Sequence, residues 1–148
     1  MAYTEPTNGI SISNAMPTTD AAGKVLTGTG NVFDFTVSAN VTGSATVSYE
    51  IAAIKDTGST LANGEVKLYL EKSTTGTYAQ VMAPTVYTPT TSASSIGTPS
   101  GAMLLKSGTY TATTSEQYRL RMWIADTTVV GSTAKTFTVK VNVYGKVL

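Results

Sequence analysis

The sequence predicts an all-β chain, folded as an antiparallel, jelly-roll-like β-sandwich of about eight strands. Three observations carry that expectation. Of 148 residues, 41% are hydrophobic and only 13% charged, against a usual charged share of about 25%; hydroxyls must therefore keep the surface wet, and a Thr-rich, charge-poor chain with Gly-marked turns suits pleated, half-exposed strands. Alternation of apolar and polar residues with period two recurs along the chain. No segment carries the i, i+3, i+4, i+7 spacing of an amphipathic helix, so βαβ units and a parallel sheet are not expected. At this length the chain (1–148) is one domain that buries about 70% of its unfolded surface.

Taken in order, Gly9–Ser13 alternates Ile10 and Ile12 with Ser11 and Ser13, a short strand whose length predicts an edge position before a turn over residues 14–17 (Asn14 to Pro17). Residues 18–30 hold Asp20, Gly23, Gly28 and Gly30 and read as a loop. Over 31–39, Phe33, Phe35 and Val37 face one way and Asp34, Thr36 and Ser38 the other. After a link at 41–44, Val47, Tyr49, Ile51 and Ala53 alternate with Ser48, Glu50, Ala52 and Ile54, and these two strands are expected to form a hairpin.

A turn-rich link at 56–64 leads to 65–71, where Val66, Leu68 and Leu70 point inward and Glu65, Lys67, Tyr69 and Glu71 toward water. Residues 73–76 turn the chain into a short strand at 78–82. The Pro-, Thr- and Ser-rich stretch 83–101 has no period and is expected to be irregular. Strand pieces follow at 102–106 and 109–112. Over 117–125, Tyr118, Leu120, Met122 and Ile124 alternate with Arg119, Arg121 and Trp123. Beyond a turn at Gly131, residues 135–145 set Phe137, Val139, Val141 and Val143 against Thr138, Lys140, Asn142 and Tyr144.

The same composition closes several function classes. Net charge is +1 and the ten basic residues are scattered, which leaves no electrostatic footprint for nucleic acid. The chain has no Cys and no His, so disulfides, Ser-His-Asp and Cys-His sites and zinc-protease motifs are all excluded. Gly28-Thr29-Gly30 opens a strand instead of a helix and so lacks a phosphate cradle. No stretch approaches the about 20 apolar residues of a membrane span, and no signal peptide stands at the N-terminus. Asp20, Asp56 and Asp126 read as solvated turn acids and not as a calcium loop. A glycosidase dyad drawn from Asp34, Glu50 and Glu116 is opposed by the outward positions of Asp34 and Glu50 on their strands. No enzyme, metal or cofactor is expected.

Arg119, Arg121 and Trp123 share the outward face of a strong strand, where an exposed indole between guanidiniums would anchor a partner or stack on a sugar. The competing expectation is that residues 83–101 fold over Trp123 and bury it.

The order of the first elements resembles the camelysin and TasA family of secreted Gram-positive matrix proteins. The residues that carry the resemblance are Gly9-Ile-Ser-Ile-Ser13, the Asn14-Ala-Met-Pro17 turn, and Asn31-Val-Phe-Asp-Phe-Thr-Val37, with Tyr118-Arg-Leu-Arg-Met-Trp-Ile124 and Phe137-Thr-Val-Lys-Val-Asn-Val143 as the later core strands. The resemblance implies a jelly-roll sandwich exported behind a signal peptide that has been removed. It further implies fibres in which one subunit's N-terminal strand completes the next subunit's sheet. Residues 1–13 would then be the exchanging segment, with Ala2, Tyr3, Ile10 and Ile12 as plugs; the alternative is an edge strand that pairs within its own chain. The peptidase activity attributed to some members does not carry over to a chain without His. The expected function is therefore a secreted structural subunit of an extracellular (biofilm) fibre or matrix whose main partner is itself. A carbohydrate-binding module and a virion capsid or decoration protein are the alternatives.

Overall fold

A computed structural model describes residues 2–4, 9–13, 15–28, 30–131 and 133–148, with the side chains of 2–4 outside that description. The strands are β1 (Ala2–Thr4), β2 (Gly9–Ser13), β3 (Pro17–Thr18), β4 (Val32–Ala39), β5 (Val47–Lys55), β6 (Val66–Thr74), β7 (Thr77–Val86), β8 (Met103–Tyr110), β9 (Thr114–Ala125) and β10 (Thr136–Val147); one helical turn, α1 (Asp20–Gly23), lies between β3 and β4. One sheet runs β1-β4-β9-β6-β7, with β3 lying parallel to the end of β9, and the other runs β2-β10-β5-β8. Leaving β1 and β3 aside, eight strands divide four and four between two antiparallel sheets in the order of a jelly roll.

Alternation builds this core. Phe33, Phe35 and Val37 of β4, Leu68 and Leu70 of β6, and Tyr118, Leu120 and Met122 of β9 pack against Ile10 and Ile12 of β2, Ile51 of β5, and Phe137, Val139 and Val141 of β10. Stacked rings run through it, Phe33 on Phe35 at 5.6 Å and Phe35 on Tyr118 at 5.5 Å. At the tip of the β6–β7 hairpin, Thr75 and Gly76 both adopt positive φ, 51° and 86°, as a two-residue turn of type I′ requires.

The structure corrects five expectations. β4 and β5 are not a hairpin: they lie in opposite sheets, because seven residues separate them, more than a tight turn uses and enough to cross a sandwich about 10 Å thick. Residues 83–86 belong to β7, so the irregular stretch begins at Tyr87, and the two pieces expected at 102–112 are the single strand β8. Residues 18–30 are not only loop, since they include α1 and the end of β3. Tyr69 does not face water; it is buried on the outer side of its sheet.

That burial has a local cause. Both sheets carry a cover on their outer face. Residues 19–28 and 30–31 lie across β6 and β9, tied by Asp20 to Lys67 at 2.9 Å, by Arg121 Nε donating to the Leu26 carbonyl at 2.7 Å, and by Asn31 Nδ2 donating to the Met122 carbonyl at 3.0 Å. Residues 88–102 lie across β5 and β10: Ser94 and the Thr98 amide bind Glu50 of β5, and Gly97 lies against the Tyr144 ring of β10.

Candidate functional site

The N-terminal segment closes one flank of the sandwich. β1 pairs with β4, Tyr3 opposite Val37, while β2 pairs with β10, Ile10 opposite Val139 and Ile12 opposite Phe137. One stretch of chain thus supplies an edge strand to each sheet. Ile10 and Ile12 are buried in the core of their own chain. Ser11 and Thr138 share a hydroxyl–hydroxyl bond of 2.7 Å on the solvent side. Gly9 is required by close approach, since a Cβ there would overlap the Val139 carbonyl. Met1, Asn14 and the side chains of Ala2 and Tyr3 lie outside the described residues.

The expected binding face on β9 is not exposed. Trp123 is 1% and Arg121 7% accessible, so the premise of an exposed indole is wrong. The cover is α1 and not residues 83–101: Gly23 lies so flat on the indole that a Cβ at that position would come within 3.0 Å of three ring atoms. Tyr69 flanks the indole at 6.4 Å, and the Lys24 ammonium sits 5.7 Å from the Tyr69 ring. Arg121 is held by Glu71 and the Leu26 carbonyl. Arg119 is bidentate to Asp34, at 2.7 and 2.9 Å, and stacks on Tyr78 at 4.0 Å. Both guanidiniums are therefore committed within the chain. The glycines at 18–30 were the signal for this cover, but a loop's landing place has no periodicity to read.

The three candidate carboxylates are separated and occupied. Asp34 holds Arg119. Glu50, expected to be solvated, is 7% exposed because residues 94–98 clasp it: Ser94 Oγ donates to one oxygen at 2.8 Å and the Thr98 amide to the other at 3.2 Å. Burial pushes its pKa up, and hydrogen bonds from Thr98 and Ser94 outweigh that and hold it below the usual value. Gly97, at φ 147°, lets the same loop lie on the Tyr144 ring. Glu116 accepts from the hydroxyls of Tyr110 and Tyr118 and pairs with Lys72. Against desolvation, Lys72 and the two tyrosines keep it ionised, and the phenols are pushed well above their ordinary value, first by burial. No two of these acids flank an open cleft, and among the described residues no group of three metal-ligating side chains forms.

One feature escaped the sequence. At the pole where β9 ends and β10 begins, a cleft of about 220 Å³ is lined by Ala15, Leu61, Ile124, Thr128, Ala134 and Lys135, with Met16, Val129 and Val130 at its rim. These rim side chains are 70%, 87% and 49% exposed. Val129-Val130 beside Gly131 in a turn was the available signal.

Comparison with protein-family models, curated proteins and solved structures returns no match.

Proposed function

We propose that this chain is a secreted structural subunit of an extracellular fibre or matrix, and that subunits join by exchanging residues 2–13. The observation that supports this reading is that β1 and β2 are both edge strands on the same flank, so the segment leaves without breaking any other strand pair. Burying each of Ile10 and Ile12 contributes about 1.5–3 kcal/mol. An emptied groove therefore demands the same segment, from its own chain or from a neighbour. A sugar-binding reading through Trp123 has no exposed ring to stack on. The jelly-roll order keeps a virion component as the second reading.

The cysteine-free background gives a direct test. Ser11→Cys with Thr138→Cys places two thiols where the wild-type hydroxyls meet. After concentration and oxidation, exchange gives a ladder of disulfide-linked dimers and higher species on a non-reducing gel, and electron microscopy shows fibres. Cross-linked monomer alone at every concentration sinks the proposal.

A further inference from the structure

We infer that the pole carrying residues 126–135 is a two-fold contact between copies of this chain: Val129 and Val130 of each copy enter the other's cleft, and Asp126 of each faces Lys135 of the other. This contact is separate from strand exchange and does not depend on it.

Three of the seven exposed large hydrophobic side chains among the described residues, Met16, Val129 and Val130, gather on the rim of this one cleft. Single exposed hydrophobics are ordinary, but a contiguous patch beside an apolar hollow marks a contact surface. Charge points the same way. Asp20, Asp34, Glu71 and Glu116 each hold a cation. Asp126 and Lys135 are exposed and, among the described residues, neither forms an ion pair, although both belong to the loop that frames the cleft.

The occupant follows from what the loop contains. It presents an apolar projection (Val129, Val130), an apolar hollow, one acid and one base. A surface with both halves of each complement is satisfied by itself across a two-fold axis, which sets each acid against the other copy's base. A purely apolar partner would leave both charges unanswered, and a partner of one sign would meet one like charge. The patch is small, so the association is weak and exchanges rapidly.

Sedimentation velocity of the full chain from micromolar to millimolar concentration tests this. The chain locked on itself by a Ser11→Cys/Thr138→Cys disulfide formed while dilute, which blocks strand exchange, is expected to rise from one chain's mass to a plateau at two. Asp126→Lys and Lys135→Asp, each alone, set like charges together twice and are expected to weaken association at least about tenfold. Both positions are exposed, so the melting temperature should not move. The discriminating arm is an equimolar mixture of the two variants: in the mixed pair both contacts join opposite charges again, and dimer is restored. A locked chain that stays monomeric, single variants in the locked background that associate like their parent, a mixture that is not restored, or locked chains whose mass climbs past two without a plateau each overturn the two-fold contact. Ser11→Cys/Thr138→Cys protein oxidised only after concentration reads strand exchange independently, since neither charged position lies in the exchanged strands.

Discussion

Replacing Gly23 with Ala tests the cover over Trp123 at one atom. The added methyl would come within 3.0 Å of three indole atoms. The indole is a rigid ring with 1% exposure, and so cannot swing away as the end of a flexible side chain would. α1 must lift instead. Overpacking of this kind costs about 1–3 kcal/mol, while Ala in place of Gly within a helical turn returns about 0.5–1 kcal/mol. The net loss is about 0–2.5 kcal/mol with a midpoint of about 1.3 kcal/mol, or about 3–5 °C in melting temperature at that midpoint for a domain of this size. Trp123 is the only tryptophan, so its emission reports the site without interference. The variant should melt earlier and emit further to the red as water reaches the ring. Gly64→Ala, where an added Cβ meets nothing within 4 Å, is the control and should match wild type in both readouts. A Gly23→Ala protein with wild-type melting and emission would refute the placement of α1 on the indole.

Breaking the Arg121–Glu71 pair with Glu71→Leu or Arg121→Met alone should cost about 3–5 kcal/mol in denaturant titration, because one buried charge is left uncompensated, while the double replacement should cost much less. A double variant as unstable as the singles would count against burial of the pair. Glu50's lowered pKa gives a signed pH effect: its contribution is complete above the unfolded value of 4.5 and is lost as pH falls through the lower folded value. The Thr98 amide shift, followed by NMR, should titrate with a midpoint below 4.5; a midpoint at or above it refutes the clasp. Tyr69, Tyr87, Tyr110 and Tyr118 are all raised above the ordinary value of 10.0. Their contribution to stability is therefore complete below that pH and is lost as pH rises further. Absorbance titration should show these four ionising only with alkaline unfolding; eight tyrosines titrating together near pH 10 would contradict their burial.

Where a strand has one buried face, the sequence displayed it. Phe137, Val139 and Val141, or Leu68 and Leu70, are in the core as their alternation requires. What alternation cannot say is which sheet a strand joins, which is why it suggests a hairpin of β4 and β5 where the two lie in opposite sheets. Nor can it register a second buried face. Tyr69, Glu50, Arg121 and Trp123 all sit on the outward half of the pattern and are all buried, because covers made of Gly-, Ser- and Thr-rich chain fold back over both sheets. Such covers are held by single hydrogen bonds, an ion pair and close glycine contacts, none of which repeats along the sequence. The same holds for the cleft at the 126–135 pole, assembled from Ala15, Leu61, Ile124 and Ala134, residues far apart in the chain.

These covers also decide where association is physically open. A sandwich with bare outer faces could stack sheet on sheet, but here residues 19–28 with 30–31 and residues 88–102 occupy those faces. Edge-to-edge pairing is obstructed on the other flank as well. β7 carries register shifts opposite Leu68–Leu70 and Leu70–Glu71 and contains Pro84, and β8 is bulged opposite Ile51–Ala52 and carries Lys106 paired across from the core residue Ile51. Bulges, proline and an inward-turned lysine are the devices by which native sheets resist accidental pairing. On the N-terminal flank the edges are only three and five residues long, too short to template a long added strand, yet they can be replaced whole. Among the described residues, the covered faces and blunted long edges favour the two proposed routes of self-association over sheet stacking and edge pairing: replacement of residues 2–13 by the same segment of a neighbour, and contact through the apolar, charge-balanced pole.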